Sequence, residues 1–431
     1  MEIFVKQIIM QHLVSKGLLS SKQFGFIKGR STVTQLLKFL DSCVETIVNG
    51  GVVDTIYLDF SKAFDSVPHR RLLGKLKSYG ITGKLLKWIE AFLTDRTQVV
   101  KVNGAESELA HVVSGIPQGS VLGPILFIIY INDLLESITT NGLLYADDTK
   151  IFHHIASRDD ALALQSDIDS LVEWSNKWLL KFHPDKCHVL TTGKFENIQY
   201  THRYRVCDRE LEHVFEEKDL GVVMDSNLNF EDHIISKVNK ANSIMGLIRR
   251  SFSFLDGNLF KKLYISFVRP HLEYAQAVWS PYLAKHVNLL ENVQIRATKL
   301  VDGMKELDYS ERLRKLDLPT LVFRRSRGDM IELWKHFNSY DNSTLSPNFQ
   351  RNTRISRKHR FQLMWNKPKD GARGIQTNSF YFRTVKMWNN LPRAVVDAET
   401  INTFKTLLDK AWTNIPTKFN HVREQPCESD S

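Results

Sequence analysis

Three aspartates in two places carry the chemistry that can be read from this chain. Asp147 and Asp148 lie side by side in Leu143-Leu144-Tyr145-Ala146-Asp147-Asp148-Thr149-Lys150-Ile151-Phe152, where apolar residues run into two carboxylates and resume after Lys150. The pattern predicts a strand, a tight turn and a second strand, with both acids at the tip. Tight hairpin turns favour Gly or Asn, which tolerate positive φ, and this tip has neither. Adjacent like charges on a turn with poor turn chemistry point to a bound cation, and the plainer reading is a solvated Asp-Asp turn. Asp59 interrupts the apolar end of Val53-Asp54-Thr55-Ile56-Tyr57-Leu58-Asp59-Phe60, where a carboxylate needs a partner or a cation. If these strands are neighbours in one antiparallel sheet, the three carboxylates converge. Oxygen-only ligands suit Mg²⁺, and two such ions roughly 3.5–4 Å apart would activate a hydroxyl nucleophile and neutralise a leaving pyrophosphate. That chemistry is phosphoryl or nucleotidyl transfer.

Elements that would hold these groups are visible on either side. Residues 3–15 predict an amphipathic helix from Ile3, Phe4, Ile8, Ile9 and Val14. Gln23 to Thr32 reads as a basic turn whose glycines would admit a phosphate backbone, with Lys28 and Arg30 supplying charge, or as a plain connecting loop. Ser31 or Thr32 then caps a helix through Leu36, Leu40 and Val44. Helices follow through Leu72 and Leu76, and through Leu86, Ile89 and Phe92. A strand from Gln98 meets a hairpin turn at Asn103-Gly104. Ser114 to Pro124 is a glycine- and proline-shaped loop before an apolar helix expected to reach Leu135. It is not a Walker loop, because no Gly-Lys-Ser/Thr follows. A strong helix covers 160–182, Pro184-Asp185-Lys186 stops it, and Lys218 to Asp225 reads as a short hairpin strand. Beyond residue 233 the chain turns helical, with one helix expected to run up to Pro270.

Composition sets wider bounds. A formal charge of +10 and a pI near 9.2 favour a polyanionic partner. The basic stretch 351–373, including Arg354, Arg357, Lys358 and Arg360 with Phe361 and Trp365 interleaved, is a candidate nucleic-acid contact, or else a solvated loop. Cys43, Cys187, Cys207 and Cys427 form no CxxC pair, so neither a disulfide framework nor a zinc site is expected. His183 and His188 beside Cys187 lack a fourth ligand at sensible spacing. The longest apolar run, Val121 to Ile131, is too short to cross a bilayer. The N-terminus does not read as a signal peptide, and a soluble intracellular protein with no membrane partner is expected.

Taken in order, these stretches resemble the polymerase motifs of non-LTR (LINE-class, jockey-like) retrotransposon reverse transcriptases. Tyr145-Ala146-Asp147-Asp148 is similar to the catalytic box, and Leu58-Asp59-Phe60-Ser61-Lys62-Ala63-Phe64-Asp65 to the preceding aspartate motif. Gly115 to Pro124 resembles the template and nucleotide loop. Gln23-Phe24-Gly25-Phe26, Gly29-Arg30-Ser31-Thr32, Phe380 to Thr384 and Trp388 to Pro392 extend the likeness over nearly the whole chain.

The resemblance implies an α+β right-hand polymerase: partial fingers over 1–52, a palm over 53–232 with a fingers insertion at about 67–110, a helical thumb over 233–310 and a basic C-terminal region over 311–431. It implies an RNA-directed DNA polymerase that uses two Mg²⁺ ions, with Mn²⁺ as a substitute, to add dNTPs to a DNA primer on an RNA template. The alternative is a catalytically silent remnant that only binds nucleic acid. By matching positions, Asp59, Asp147, Asp148 and the Phe60 carbonyl would hold the metals. Phe64 would gate the sugar, Gln118 and Gly119 would line the nucleotide, Lys186 would protonate pyrophosphate and Gly221 would lie in the primer grip. Relatives usually carry Asn where His183 stands. The likeness starts at the second fingers block, so an N-terminally truncated copy, with an endonuclease domain or protein elsewhere, is expected.

Overall fold

β-Branched and aromatic side chains from Val53 to Leu58 form a buried strand, and the computed structural model builds a five-stranded sheet around it. The structure describes residues 1–193, 202–338, 361–365 and 374–421. Arg354, Arg357, Lys358 and Arg360 lie outside the described residues. The chain divides into two compact units, residues 1–35 with 50–215, and residues 36–49 with 216–431. The fold class is α+β, with helices packed on a mostly antiparallel sheet.

Elements run in order α1 (Glu2–Ser15), α2 (Thr32–Val48), β1 (Val53–Leu58), α3 (Ala63–Ser66), α4 (His69–Ser78) and α5 (Gly83–Leu93). An exposed ribbon follows, β2 (Thr97–Gln98), β3 (Lys101–Val102), β4 (Ala105–Glu106) and β5 (Ala110–His111). Then come α6 (Gly123–Tyr130), β6 (Asn141–Tyr145), β7 (Asp148–His154), α7 (Arg158–Trp178), β8 (His188–Thr192), β9 (Arg205–Val206), β10 (Arg209–Glu210) and β11 (Glu212–Val214).

The main sheet of the first unit has the order β11-β8-β1-β7-β6, antiparallel except for the parallel β11–β8 pair. β1 is therefore central, with β7 on one edge and β8 on the other. The all-apolar α6 and the inner stripe of α7 (Leu164, Ile168, Leu171) bury against the sheet in one core. A capping box of Ser157 and Asp160 starts α7.

Several expectations shift. α1 buries Val5, Ile9 and Leu13, while Ile3, Phe4, Ile8 and Val14 are exposed, so of the five apolar positions read from the sequence only Ile9 lies on the buried face. α6 ends at Tyr130 and not at Leu135, and turns carry the chain on to β6. α7 stops at Trp178 because Leu179 takes φ 57°; Phe182 leaves the helix and stacks on Phe60 at 4.5 Å. Ser31 Oγ caps α2 by accepting from Thr34 N at 3.2 Å.

After residue 215 the chain returns to the second unit with a hairpin, β12 (Glu216–Asp219) and β13 (Val222–Asp225), where the sequence read one strand. Its turn residues, Leu220 and Gly221, both hold positive φ (45° and 85°). Helices follow: α8 (Glu231–Ser251), α9 (Gly257–Leu263), a π-helical turn at Tyr264–Val268, α10 (Arg269–Glu273), α11 (Gln276–Trp279), α12 (Ala284–Thr298), α13 (Tyr309–Leu316) and α14 (Leu321–Asn338). Pro270 does not end the helix as expected. It falls in the first turn of α10, where its missing N–H costs little, and the π turn before it absorbs the break in the ladder. The last helices are α15 (Ile375–Asn378), α16 (Phe380–Asn389), α17 (Arg393–Val396) and α18 (Ile401–Ala411). In α16, Phe380, Tyr381 and Trp388 are buried and Arg383 forks onto Asp329 of α14 at 2.8 and 3.0 Å, so this motif is packing. Among the described residues no helix is long and apolar enough to cross a membrane.

A candidate acidic centre at the end of the sheet

Asp59 stands one residue beyond β1, whose last residue, Leu58, faces Thr149 of β7. The chain past β1 stays attached to the segment before β8. His183 N donates to Asp59 O, and Ser61 N donates to Lys181 O, both at 2.8 Å. Successive residues of a strand direct their backbone groups to opposite edges, so the Phe60 carbonyl turns toward the β7 side. Lys186 Nζ lies 3.1 Å from Asp59 Oδ2, a half-exposed ion pair of small energetic weight. That oxygen is otherwise buried and has no hydrogen-bond partner, because the lysine approaches without hydrogen-bond alignment.

The second carboxylate comes from the β6–β7 hairpin. Tyr145 pairs with Asp148, which leaves Ala146 and Asp147 as a two-residue turn with Ala146 at φ 53°. Asp148 is therefore the first residue of β7, exposed, and the expectation of two acids at the tip is corrected by one residue. Burial pushes the half-buried Asp147 carboxyl above the usual carboxylate range. The Asp59 charge pushes it the same way, against its own backbone N–H. Asp59 and Asp147 thus share one field. Among the described residues no three His, Cys, Asp or Glu gather into a metal cage, so Asp148 does not close a three-carboxylate group, and His183, Cys187 and His188 form no metal site. Asp59, whose Oδ2 has no hydrogen-bond partner, together with Asp147 and a backbone carbonyl still fits Mg²⁺, which binds through one or two carboxylates and leaves positions for substrate phosphates and water.

Beside this centre the loop before α6 runs along α3. Gly115 N donates to Val67 O at 2.9 Å and Ile116 N to Phe64 O at 2.8 Å. Phe64 is half-buried and stacks on Phe127 of α6 at 4.3 Å. Gln118 is held by its Nε2 donating to Asp65 Oδ1 at 2.9 Å, and Gly119, at φ 78°, faces open space. Gly115, Ile116 and Gln118 line an open groove of about 730 Å³ together with Lys62, Asp65, Arg96, His111 and Ser114.

The first part of the stretch read as a phosphate-facing turn, or as a plain connecting loop, packs on the acidic hairpin. Segment 22–25 lies along β6: Phe24 N donates to Leu144 O at 2.7 Å, and Leu144 N to Lys22 O at 2.9 Å. Gln23 is fully buried, and its Oε1 accepts from Ala146 N at 3.0 Å and from Gly25 N at 2.7 Å. Gly25 faces the same turn; a Cβ there would stand 2.4 Å from Ala146 N. Arg30 braces the segment, with Nη1 donating to Ser20 O and Gln23 O at 2.7 and 2.5 Å, while Lys28 is exposed. Sequence reasoning gave Gln23 no role; the signal was a glutamine two residues from a glycine among apolar neighbours.

In the second unit, the Gly221 turn is propped by Tyr274, whose hydroxyl donates to Leu220 O at 2.8 Å. Lys237 of α8 feels the charge of Lys218 of β12, and His271 of α10 feels those of Lys237 and Lys240. Burial lowers Lys237 and His271 first, and the neighbouring cations lower them further. The i, i+3 lysines Lys237, at the edge of the buried face of α8, and Lys240, exposed, were legible as a basic stripe but were not singled out.

Fold and site together define an α+β protein with an acidic centre at one end of an antiparallel sheet. Residues 2–222 match the family described as reverse transcriptase (RNA-dependent DNA polymerase), and the chain belongs to that family. It is 30% identical to the RNA-directed DNA polymerase from mobile element jockey of Drosophila funebris over 65% of this chain and 32% of that protein. Its identity to the jockey polymerase of Drosophila melanogaster is 27%, over 68% of this chain and 34% of the relative. For the probable RNA-directed DNA polymerase from transposon BS the figures are 25%, 67% and 33%. The relatives place it with the non-LTR, jockey-like group. The chain spans about a third of the length of these curated relatives. A solved structure of telomerase from Candida albicans, with a fragment of telomeric RNA, is similar at a TM-score of 0.43 and 11% identity over 70% of this chain and 56% of that one, too slight a likeness to carry a conclusion.

Proposed function

We propose that the chain is the polymerase portion of a non-LTR retrotransposon reverse transcriptase, extending a DNA primer with dNTPs on an RNA template. The observation that carries this reading is the meeting of Asp59, at the end of β1, with Asp147, in the turn between β6 and β7. In it residues 1–52 are partial fingers, 53–232 the palm with a fingers insertion at about 67–110, 233–310 the helical thumb of a right hand and 311–431 a basic C-terminal region.

Asp59, Asp147 and the Phe60 carbonyl would hold the divalent ions, with Asp148 at the primer side. Divalent ions held there would supply the positive charge for activating the primer 3′-hydroxyl and for the departing pyrophosphate. The protein's own part is positioning and charge. Phe64, fixed by its stack on Phe127, would stand under the incoming sugar where a ribose 2′-OH would clash. Gln118 and Gly119 would face the nucleotide. Lys186, already drawn to Asp59, would protonate the pyrophosphate. The Gly221 turn would hold the primer, and Lys28, Lys218, Lys237, Lys240 and the 351–373 stretch would meet phosphates.

Primer extension on an RNA template with Mg²⁺ tests the reading. The full chain should incorporate dNTPs, and Asp147→Asn should lose at least about a thousandfold in rate while keeping its thermal midpoint. Equal incorporation by both proteins would exclude this site. RNA binding with no extension by the wild-type chain would leave nucleic-acid binding as its activity.

A further inference from the structure

We propose that Gln23 is the positioning residue of the acidic hairpin, its side-chain oxygen fixing the Ala146–Asp147 turn from behind. The inference deepens the polymerase reading and rests on it for its kinetic arm alone.

The turn needs an external brace. Ala146 adopts a left-handed φ of 53°, which its Cβ resists, in a position where Gly or Asn would be relaxed. Two-residue hairpins normally hold themselves through turn chemistry; this one is held from outside. Gln23 supplies the hold, since a single atom, Oε1, takes the N–H of Ala146 at 3.0 Å and the N–H of Gly25 at 2.7 Å. Two donors converging on one atom identify it as the oxygen, so the amide orientation is set by its surroundings. The Nε2 of the same amide is buried with no hydrogen-bond partner. Leaving a buried donor unmet is unfavourable, so the acceptor contacts are what keep this side chain here.

The backbone agrees. Gln23 bridges Leu144 in parallel, with Lys22 O and Phe24 N tied to Leu144 on either side, so the clamp grips the end of strand β6 just ahead of the Ala146–Asp147 turn. Gly25 permits the approach, since any Cβ would meet Ala146 N at 2.4 Å and Gln23 Oε1 at 3.1 Å. Arg30 closes the back of the clamp through Gln23 O. Asp147 follows Ala146 directly and shares a field with Asp59, so a small movement of the turn changes where its oxygens stand relative to the other carboxylate.

The test compares Gln23→Met, which keeps the shape and removes the oxygen, with Gln23→Glu, which keeps an acceptor, in the full chain. Hydrogen exchange by mass spectrometry should show peptides of 141–150 exchanging at least about tenfold faster in Gln23→Met, with peptides of α7 unchanged and Gln23→Glu restoring protection. In primer extension, kcat of Gln23→Met should fall on the order of tenfold with KM for dNTP within about twofold, and Gln23→Glu should recover most of it. Unchanged exchange over 141–150 overturns the proposal, as does a loss spread equally into α7, which would make Gln23 a general core residue. If the wild-type chain extends no primer, the polymerase reading falls, and the exchange pattern still decides for or against the clamp.

Discussion

A single buried imidazole shows how one residue ties a local element to solution conditions. His233 is fully buried at the start of α8, 5.1 Å from the Trp279 ring, and its Nδ1 accepts from Val223 N of β13 at 3.1 Å. That bond requires the neutral ring. Burial, helped by the nearby Lys237 charge, pulls its pKa from 6.5 to about 3. The unfolded chain therefore binds a proton that the folded chain refuses, and the sign follows: the contribution is fully present above pH 6.5 and is lost as pH falls toward 3. Between about pH 7.5 and 5.5 the loss is roughly 1.4 kcal/mol, a thermal midpoint lower by about 2–5 °C. His233→Gln, which keeps an acceptor and cannot charge, should show a flatter dependence over the same range. Equal slopes for both proteins would remove His233 as the cause.

At the scale of elements, α4 is joined to α6 and α7 by a lysine in an aromatic cage. The Lys75 ammonium lies 3.8 Å from the Trp178 ring centroid, 4.8 Å from Trp174 and 5.1 Å from Tyr130, and pairs with Asp133 at 2.5 Å. Trp174 Nε1 donates to the same carboxylate at 3.0 Å. Desolvation lowers the ammonium to about 8, with Asp133 holding it up. Lys75→Met should destabilise the first unit by about 3 kcal/mol in urea unfolding, because Asp133 loses its cation and the rings lose theirs. A loss below about 1 kcal/mol would reduce the cage to packing. This cage was invisible in the sequence: a lysine between Leu72 and Leu76 reads as a solvated helix position, and its partners are distant along the chain. β1, the β6–β7 hairpin, the Asn103-Gly104 turn and α7 were legible because each carries a local period or turn signal. Asp148 was misplaced by one residue, since side-chain pattern does not say which two residues form a turn. The α1 face was misread because four exposed apolar residues, Ile3, Phe4, Ile8 and Val14, share near-helical spacing with Ile9 and so obscured the buried Val5-Ile9-Leu13 stripe. The functional role of Gln23 needed the fold, since it depends on which backbone lies behind it.

For the whole molecule, the charge of +10 matters through where its cations lie. On the second unit Lys237 lies within electrostatic reach of Lys218, and Lys237 and Lys240 within reach of His271, which burial and these lysines keep toward its neutral form; the repulsion among the lysines raises the energy of the empty surface. A phosphate backbone relieves that repulsion and releases condensed counterions, so affinity for single-stranded RNA should fall linearly in log–log terms with salt. Each phosphate contact removed reduces the slope by about 0.7 for a single strand, and Lys237→Gln with Lys240→Gln should flatten it by roughly 1.4. Fluorescence anisotropy with labelled RNA between about 50 and 200 mM salt reads this directly. The Arg354→Gln, Arg357→Gln pair provides the comparison from the basic stretch, which was argued from sequence. If the α8 pair leaves the slope unchanged and the arginine pair lowers it, the contact lies with the C-terminal stretch and the α8 cluster is only a solvated face. If both pairs lower it, their effects should add, because separate phosphates release separate ions.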